Sequence, residues 1–198
     1  VSEEYTLTGL SGRFDQRSET MEAYGSDEEP ATLVKTPAPA APAETDAESE
    51  AAGTDRPMSI SATRELRANF EEERLFATGR VRYASEETVA ESDLLMVDRR
   101  EAVLQAVADL LARLPAGEPR TLVDQFFAGI EPEARLVLLQ GNVVVDRNDV
   151  HMTAAWMVFE EADQENFISV ASPDEPLQLR VLLSDDRDEA DGEAAGAE

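Results

Sequence analysis

The side chains able to carry acid–base or metal chemistry in this chain are few. His151 is the only histidine, and there is no cysteine. Without a thiolate, disulfides, cysteine nucleophiles and Cys-type zinc or iron–sulfur sites are excluded. A histidine acts as base or ligand only within a set of partners, and no nucleophile-elbow or phosphate-cradling glycine motif accompanies His151. The carboxylate runs Glu71, Glu72, Glu73 and Asp185, Asp186, Asp188 lack the alternating ligand spacing of a calcium loop. Glycosidase chemistry needs one acid held in an apolar pocket, and both runs sit among other charges. The expectation is no catalytic residue, no metal, no cofactor and no enzymatic activity.

The apolar side chains offer more. Met152, Ala154, Trp156 and Val158 share one parity of a predicted strand and therefore one face, and Val143 and Val145 do the same one strand earlier. Two readings follow. These residues pack a core, or they line an apolar groove in which flexible methionine and broad aromatic surfaces accept acyl chains. Leu177, Leu179, Val181 and Leu183 alternate with Gln178 and Arg180 in the last apolar run, and Leu179 and Val181 are the candidates for pairing at a sheet edge.

Elements of alternating pattern must position these side chains. Short apolar–polar runs at Ile60 to Ala62, Gly79 to Tyr83, Leu94 to Val97, Leu136 to Val145, Met152 to Phe159 and Leu177 to Leu183 predict half-buried strands. Two stretches have a helical period instead. Val103, Val107, Leu110, Leu111 and Leu114 are spaced for one helix, stopped by Pro115 and Gly117. Leu122, Phe126 and Ile130 are spaced for another, with Thr121 as its expected N-cap. Together they predict a helical insertion over 101–130.

The strands repeat. GRVRYASEETVAESDLLMVD, Gly79 to Asp98, aligns with GNVVVDRNDVHMTAAWMVF, Gly141 to Phe159. Gly79 matches Gly141 and Val81 matches Val143; further on Val89 matches Val150, Ser92 matches Thr153, Met96 matches Met157 and Val97 matches Val158. Looser copies run from Tyr5 to Gly25 and from Ile60 to Gly79. Each unit is a strand pair too small to hide its own apolar face, so the units must stack into one core. The recurring glycines, Gly79 and Gly141, are expected at bulges or sharp bends, where a residue without a Cβ is needed.

Composition limits the partners. The chain has 43 acidic and 17 basic residues, a net charge of −26, and Lys35 is its one lysine. A phosphate backbone repels such a surface, so no nucleic-acid partner is expected. Excess carboxylate with almost no lysine suits a salt-rich source. Residues 26–57, rich in Ala, Pro and acids, are expected to be a disordered linker, and 184–198 a disordered acidic tail. No apolar run reaches the roughly 18 residues of a membrane helix. The start at Val1 in place of Met is read as the trace of a removed export signal or anchor, or of a trimmed chain.

LQGNVVVDRNDVHMTAAWMVFEEADQENFISV, Leu139 to Val170, resembles the strand repeat of the OstA-like family, the periplasmic lipopolysaccharide-transport proteins of the LptA and LptC type. Gly141, Asn142 and Val143 match the family's Gly-Asn-Val strand; Thr153, Ala154, Ala155, Phe159 and Glu160 match its second strand. ATGRV, Ala77 to Val81, is a weaker copy. The resemblance implies a mainly β fold, an open twisted β-jellyroll of repeated strand pairs over 58–183, with strand pair 1–25 joining it in the LptC manner. It implies a periplasmic or cell-envelope protein, without enzymatic activity, that binds lipopolysaccharide or a related glycolipid. Neighbouring jellyroll domains of a transport bridge, or further copies of the chain, would join it end to end. A β-repeat scaffold or surface-interaction module with no lipid ligand is the other reading. The helical insertion, the linker after the first unit and the extreme charge set the chain apart from the family pattern.

Overall fold

The computed structural model describes residues 4–36, 57–86, 88–114, 118–147, 150–161, 167–171 and 178–181. The strands are β1 (Glu4–Thr8), β2 (Ser11–Asp15), β3 (Thr20–Tyr24), β4 (Ala31–Thr36), β5 (Met58–Ala62), β6 (Glu65–Asn69), β7 (Arg74–Ser85), β8 (Thr88–Arg99), β9 (Arg135–Arg147), β10 (Val150–Glu160), β11 (Phe167–Val170) and β12 (Gln178–Val181). Helices α1 (Arg100–Arg113) and α2 (Glu118–Gly129) fall between β8 and β9. All the pairings are antiparallel and make one 12-stranded sheet. The sheet is open, not closed into a barrel, and the fold is mainly β.

A crease crosses every level of this sheet. On one side of it β1, β4 and β5 pair in turn with 81–85 of β7, and the ladder continues through 88–91 of β8, 143–147 of β9 and 150–154 of β10 to β12. On the other side β2, β3 and β6 pair with 74–78 of β7, and the ladder runs through 94–99 of β8, 135–140 of β9 and 156–160 of β10 to β11. We call these the first and second leaf. The long strands β7 to β10 pass through the crease, each with a register shift there. On the amino-terminal side the crease falls instead between short strands: β1 and β2, β3 and β4, β5 and β6.

The leaves fold face to face. Tyr5 stands about four residues from the crease and Phe70 about six, roughly 13 and 20 Å of strand, yet their ring centroids are 4.7 Å apart. Only an acute fold brings them together. The inner faces of both leaves form one apolar cluster, from Leu33, Ile60 and Val81 of the first to Leu66, Leu95 and Val137 of the second.

A second cluster lies outside. Leu136, Leu138, Trp156 and Val158 face away from the interior, and Val103, Val107 and Leu111 of α1 with Val123 and Phe127 of α2 cover them. The helices sit where the period predicts, but Thr121 lies inside α2, which starts at Glu118, so it is not the N-cap. Pro119 suits the first turn, where an amide hydrogen has no intrahelical partner.

The segment expected to be a disordered linker needs correcting at its start. Ala31–Thr36 is strand β4, between β1 and β5. The acidic, proline-rich average of 26–57 hides a local alternation in which Ala31 and Leu33 are fully buried, and six residues of alternation suffice when a sheet supplies both neighbours. Residues 37–56 of that expectation, and the tail 184–198, lie outside the described residues. Strand pair 1–25 is part of the sheet, as three strands.

Candidate functional site

The predicted groove corresponds to the interior between the leaves. Val143, Val145, Met152 and Ala154 all point into it, as expected. They are buried, and the inner cluster is nowhere more than 8 % exposed. The interior is therefore a packed apolar core along the long strands, while the inward positions Phe14 and Phe167 at the sheet edges are exposed.

Trp156 and Val158 are not in it. Both belong to the cluster under the helices, Trp156 only 3 % exposed. The physical reason is the bulge between Ala154 and Trp156. Ala155 and Trp156 both turn outward there, and parity reverses, so Met157 and Phe159 take the inward positions. A one-residue slip sends each later side chain to the opposite face.

The same slip corrects the repeat. Gly79 and Gly141 are equivalent, and Val81 and Val143 both face inward two residues after them. In the second strands the expected matches fall on opposite faces: Met96 packs outside where Met157 packs inside, and Val97 inside where Val158 is outside. Equivalence by position relative to the crease pairs Leu95 with Met157 and Val97 with Phe159.

The two glycines stand on the crease, as their expected role in bulges requires. Gly79 has φ +98° and Gly141 φ +75°, a region L side chains rarely adopt. Each also lies under a polar side chain, Thr63 of the β5–β6 connection over Gly79 and Asp93 of β8 over Gly141. A Cβ on Gly79 would come within 2.6 Å of Thr63 Oγ1, and one on Gly141 within 2.6 Å of Asp93 Oδ2. Thr63 Oγ1 accepts from the Arg80 amide at 3.0 Å, and Asn142 Nδ2 donates to Asp93 Oδ2 at 2.8 Å. Asn142 itself has φ +49°. At Gly79 a side chain thus takes up a backbone amide that the broken ladder frees, and at Gly141 a side-chain bond ties the bulge to the neighbouring strand.

At the carboxyl-terminal edge Leu179 sits opposite Met152 and Val181 opposite Val150. Among the described residues β12 pairs with β10 alone, so both positions belong to an edge strand there.

The residues with chemical potential remain apart. His151 lies on an exposed hairpin, its Nδ1 2.5 Å from Asp146 Oδ1. In the β6–β7 turn Glu72 pairs with Arg74 at 2.9 Å and Glu73 with Arg135 at 3.8 Å. Asp185, Asp186 and Asp188 lie outside the described residues. Among the described residues no three His, Cys, Asp or Glu side chains gather closely enough to hold a metal ion. No described helix is long and apolar enough to cross a membrane.

One polar cavity of about 460 Å³ opens on the outer face of the second leaf, beside the zone the helices cover. Its arginines are already engaged: Arg67 with Glu22 at 3.1 Å and Glu65 at 2.7 Å, Arg74 with Asp98 at 3.2 Å. Cross-strand ladders of opposite charge stabilise an exposed sheet face, and sequence inspection had no signal for this one because the strands come from distant positions. No family model matches the sequence, and no curated protein matches it either.

Proposed function

We propose that this chain is a non-enzymatic cell-envelope protein that holds or relays an acylated glycolipid of the lipopolysaccharide class between its leaves. The observation that carries the reading is the interior: two leaves joined along the crease, whose inward positions on the long strands are apolar apart from Thr88 and Ser92. Acyl chains moved from water into such a space gain about 25 cal/mol per Å² of buried surface. The resemblance of Leu139 to Val170 to OstA-like repeats points the same way, and with it the proposal extends to a periplasmic, exported setting with neighbouring jellyroll domains as partners.

The edges support relay between domains. β1 and β2 end the sheet on one side, β11 and β12 on the other. Phe14 on β2 is 58 % exposed and Phe167 on β11 39 %, so apolar surface continues to both edges. A strand of a neighbouring domain, or of a second copy, would extend the ladder by main-chain hydrogen bonds.

The close packing of the interior along the long strands favours a second reading, a β-repeat scaffold without a lipid ligand. Native mass spectrometry of the full chain, exported to the envelope and purified without detergent, separates the two. Co-purifying glycolipid, or uptake of added lipopolysaccharide, supports relay; absence of both leaves the scaffold.

A further inference from the structure

If lipid enters this interior, the leaves must part, and the fold prescribes where. On the carboxyl-terminal side β7 to β10 run unbroken from leaf to leaf, and α1 and α2 brace the second leaf across β8, β9 and β10. Bending there would distort continuous strands and their helical cover. On the amino-terminal side no strand runs through the crease: the chain crosses it in the short connections 9–10, 25–30 and 63–64, and the leaves meet there through the shared inner cluster. With neither continuous strands nor a helical brace to resist bending, this side is the one that can splay.

The same side carries a contact across the mouth. Tyr5 of β1, in the first leaf, meets Phe70, in the turn after β6 of the second, at 4.7 Å and 46° between ring planes. Both rings are partly buried against the inner cluster. The ion pairs described above that lie near the mouth, Arg74 with Asp98 and Arg135 with Glu73, join residues of the second leaf to each other. They do not hold the leaves together.

We propose that Tyr5 and Phe70 form a latch that keeps the amino-terminal ends of the leaves closed, and that its release opens the interior on that side while the helix-braced side stays shut. The entry route for the lipid rests on the function proposed above; the latch itself does not.

The absence of cysteine from the chain makes a direct test simple. A single reporter thiol is placed at Ala68→Cys, inward on β6 near the latch, or at Ala154→Cys, inward on β10. Each is combined with Phe70→Ala and, separately, with the conservative Phe70→Tyr. Loss of the ring pair is expected to raise the rate of thiol labelling at position 68 about tenfold, leave position 154 unchanged, and be reversed by Phe70→Tyr. Unchanged labelling at 68 overturns the latch. So does an equal rise at both sites with a fall in Tm, which is global loosening. Uptake of fluorescent lipopolysaccharide by the same proteins reads the function separately. Faster labelling at 68 without uptake keeps the latch and defeats lipid entry.

Discussion

Asp93 lies over Gly141 so closely that its carboxylate oxygen would stand 2.6 Å from a Cβ there, and a side chain at Gly141 must push Asp93 aside. The same carboxylate accepts from Asn142, so the bulge of β9 and the bend of β8 are fixed to each other. Gly141→Ala meets both the contact and φ +75°, and is expected to cost about 1–3 kcal/mol, seen as a lower urea midpoint. Asp93→Ala in the Gly141→Ala background recovers part of that loss. Gly129→Ala is the contrast: nothing lies within 4 Å of its Cβ position, and stability should stay within about 1 kcal/mol of the parent.

The helices cap one another through arginine. Arg100, the first residue of α1, donates to Phe127 O at 3.2 Å and Ile130 O at 2.8 Å at the end of α2, while Arg120 of α2 donates to Leu111 O at 2.7 Å near the end of α1. Unpaired carbonyls at a helix end need such donors. Arg100→Ala is expected to cost about 1–3 kcal/mol. Hydrogen exchange should show the loss first in α2.

Trp156, the only tryptophan, reports the helical cover and not the interior. Its emission should be blue-shifted in the folded protein. Lipid carrying a spin label, if taken up between the leaves, should quench it weakly, since the β-sheet separates them. Strong quenching would falsify the placement of lipid in the interior. Trp156→Ala should cost about 3–5 kcal/mol, measured by urea unfolding.

Salt should stabilise the chain. Forty-three acids against 17 basic residues repel one another in the compact state, and the Debye length falls from about 10 Å at 0.1 M to about 3 Å at 1 M. Screening also weakens exposed pairs such as Arg99 with Glu133, but each is worth only about 0–1 kcal/mol. The net excess decides the sign: the urea midpoint is expected to rise with KCl, and a fall would assign more of the stability to ion pairs.

Replacing Leu179 and Val181 with glutamate tests the edge. If β12 mates with another domain, sedimentation should show loss of higher assemblies at unchanged Tm. A fall in Tm with no change in assembly would make these positions core.

Alternation and glycine placement make most of the strands, the helical pair and the bends legible in the sequence, because each depends on a few consecutive residues. Val143, Val145, Met152 and Ala154 were placed on the inner face by parity alone. Trp156 and Val158 were misplaced by the same rule, since a bulge on the partner strand resets parity and leaves no mark in the sequence of β10. Leu33 was missed for a different reason: β4 becomes a strand only between β1 and β5, brought together from positions far apart in the chain. Sequence thus determined most of the strand segments, though not β4, and that their inward faces are largely apolar. The tertiary structure alone decided which face is inward beyond the crease, that the leaves close on each other, and that Tyr5 meets Phe70, because those depend on where ladders slip and fold, a relation between strands and not within one.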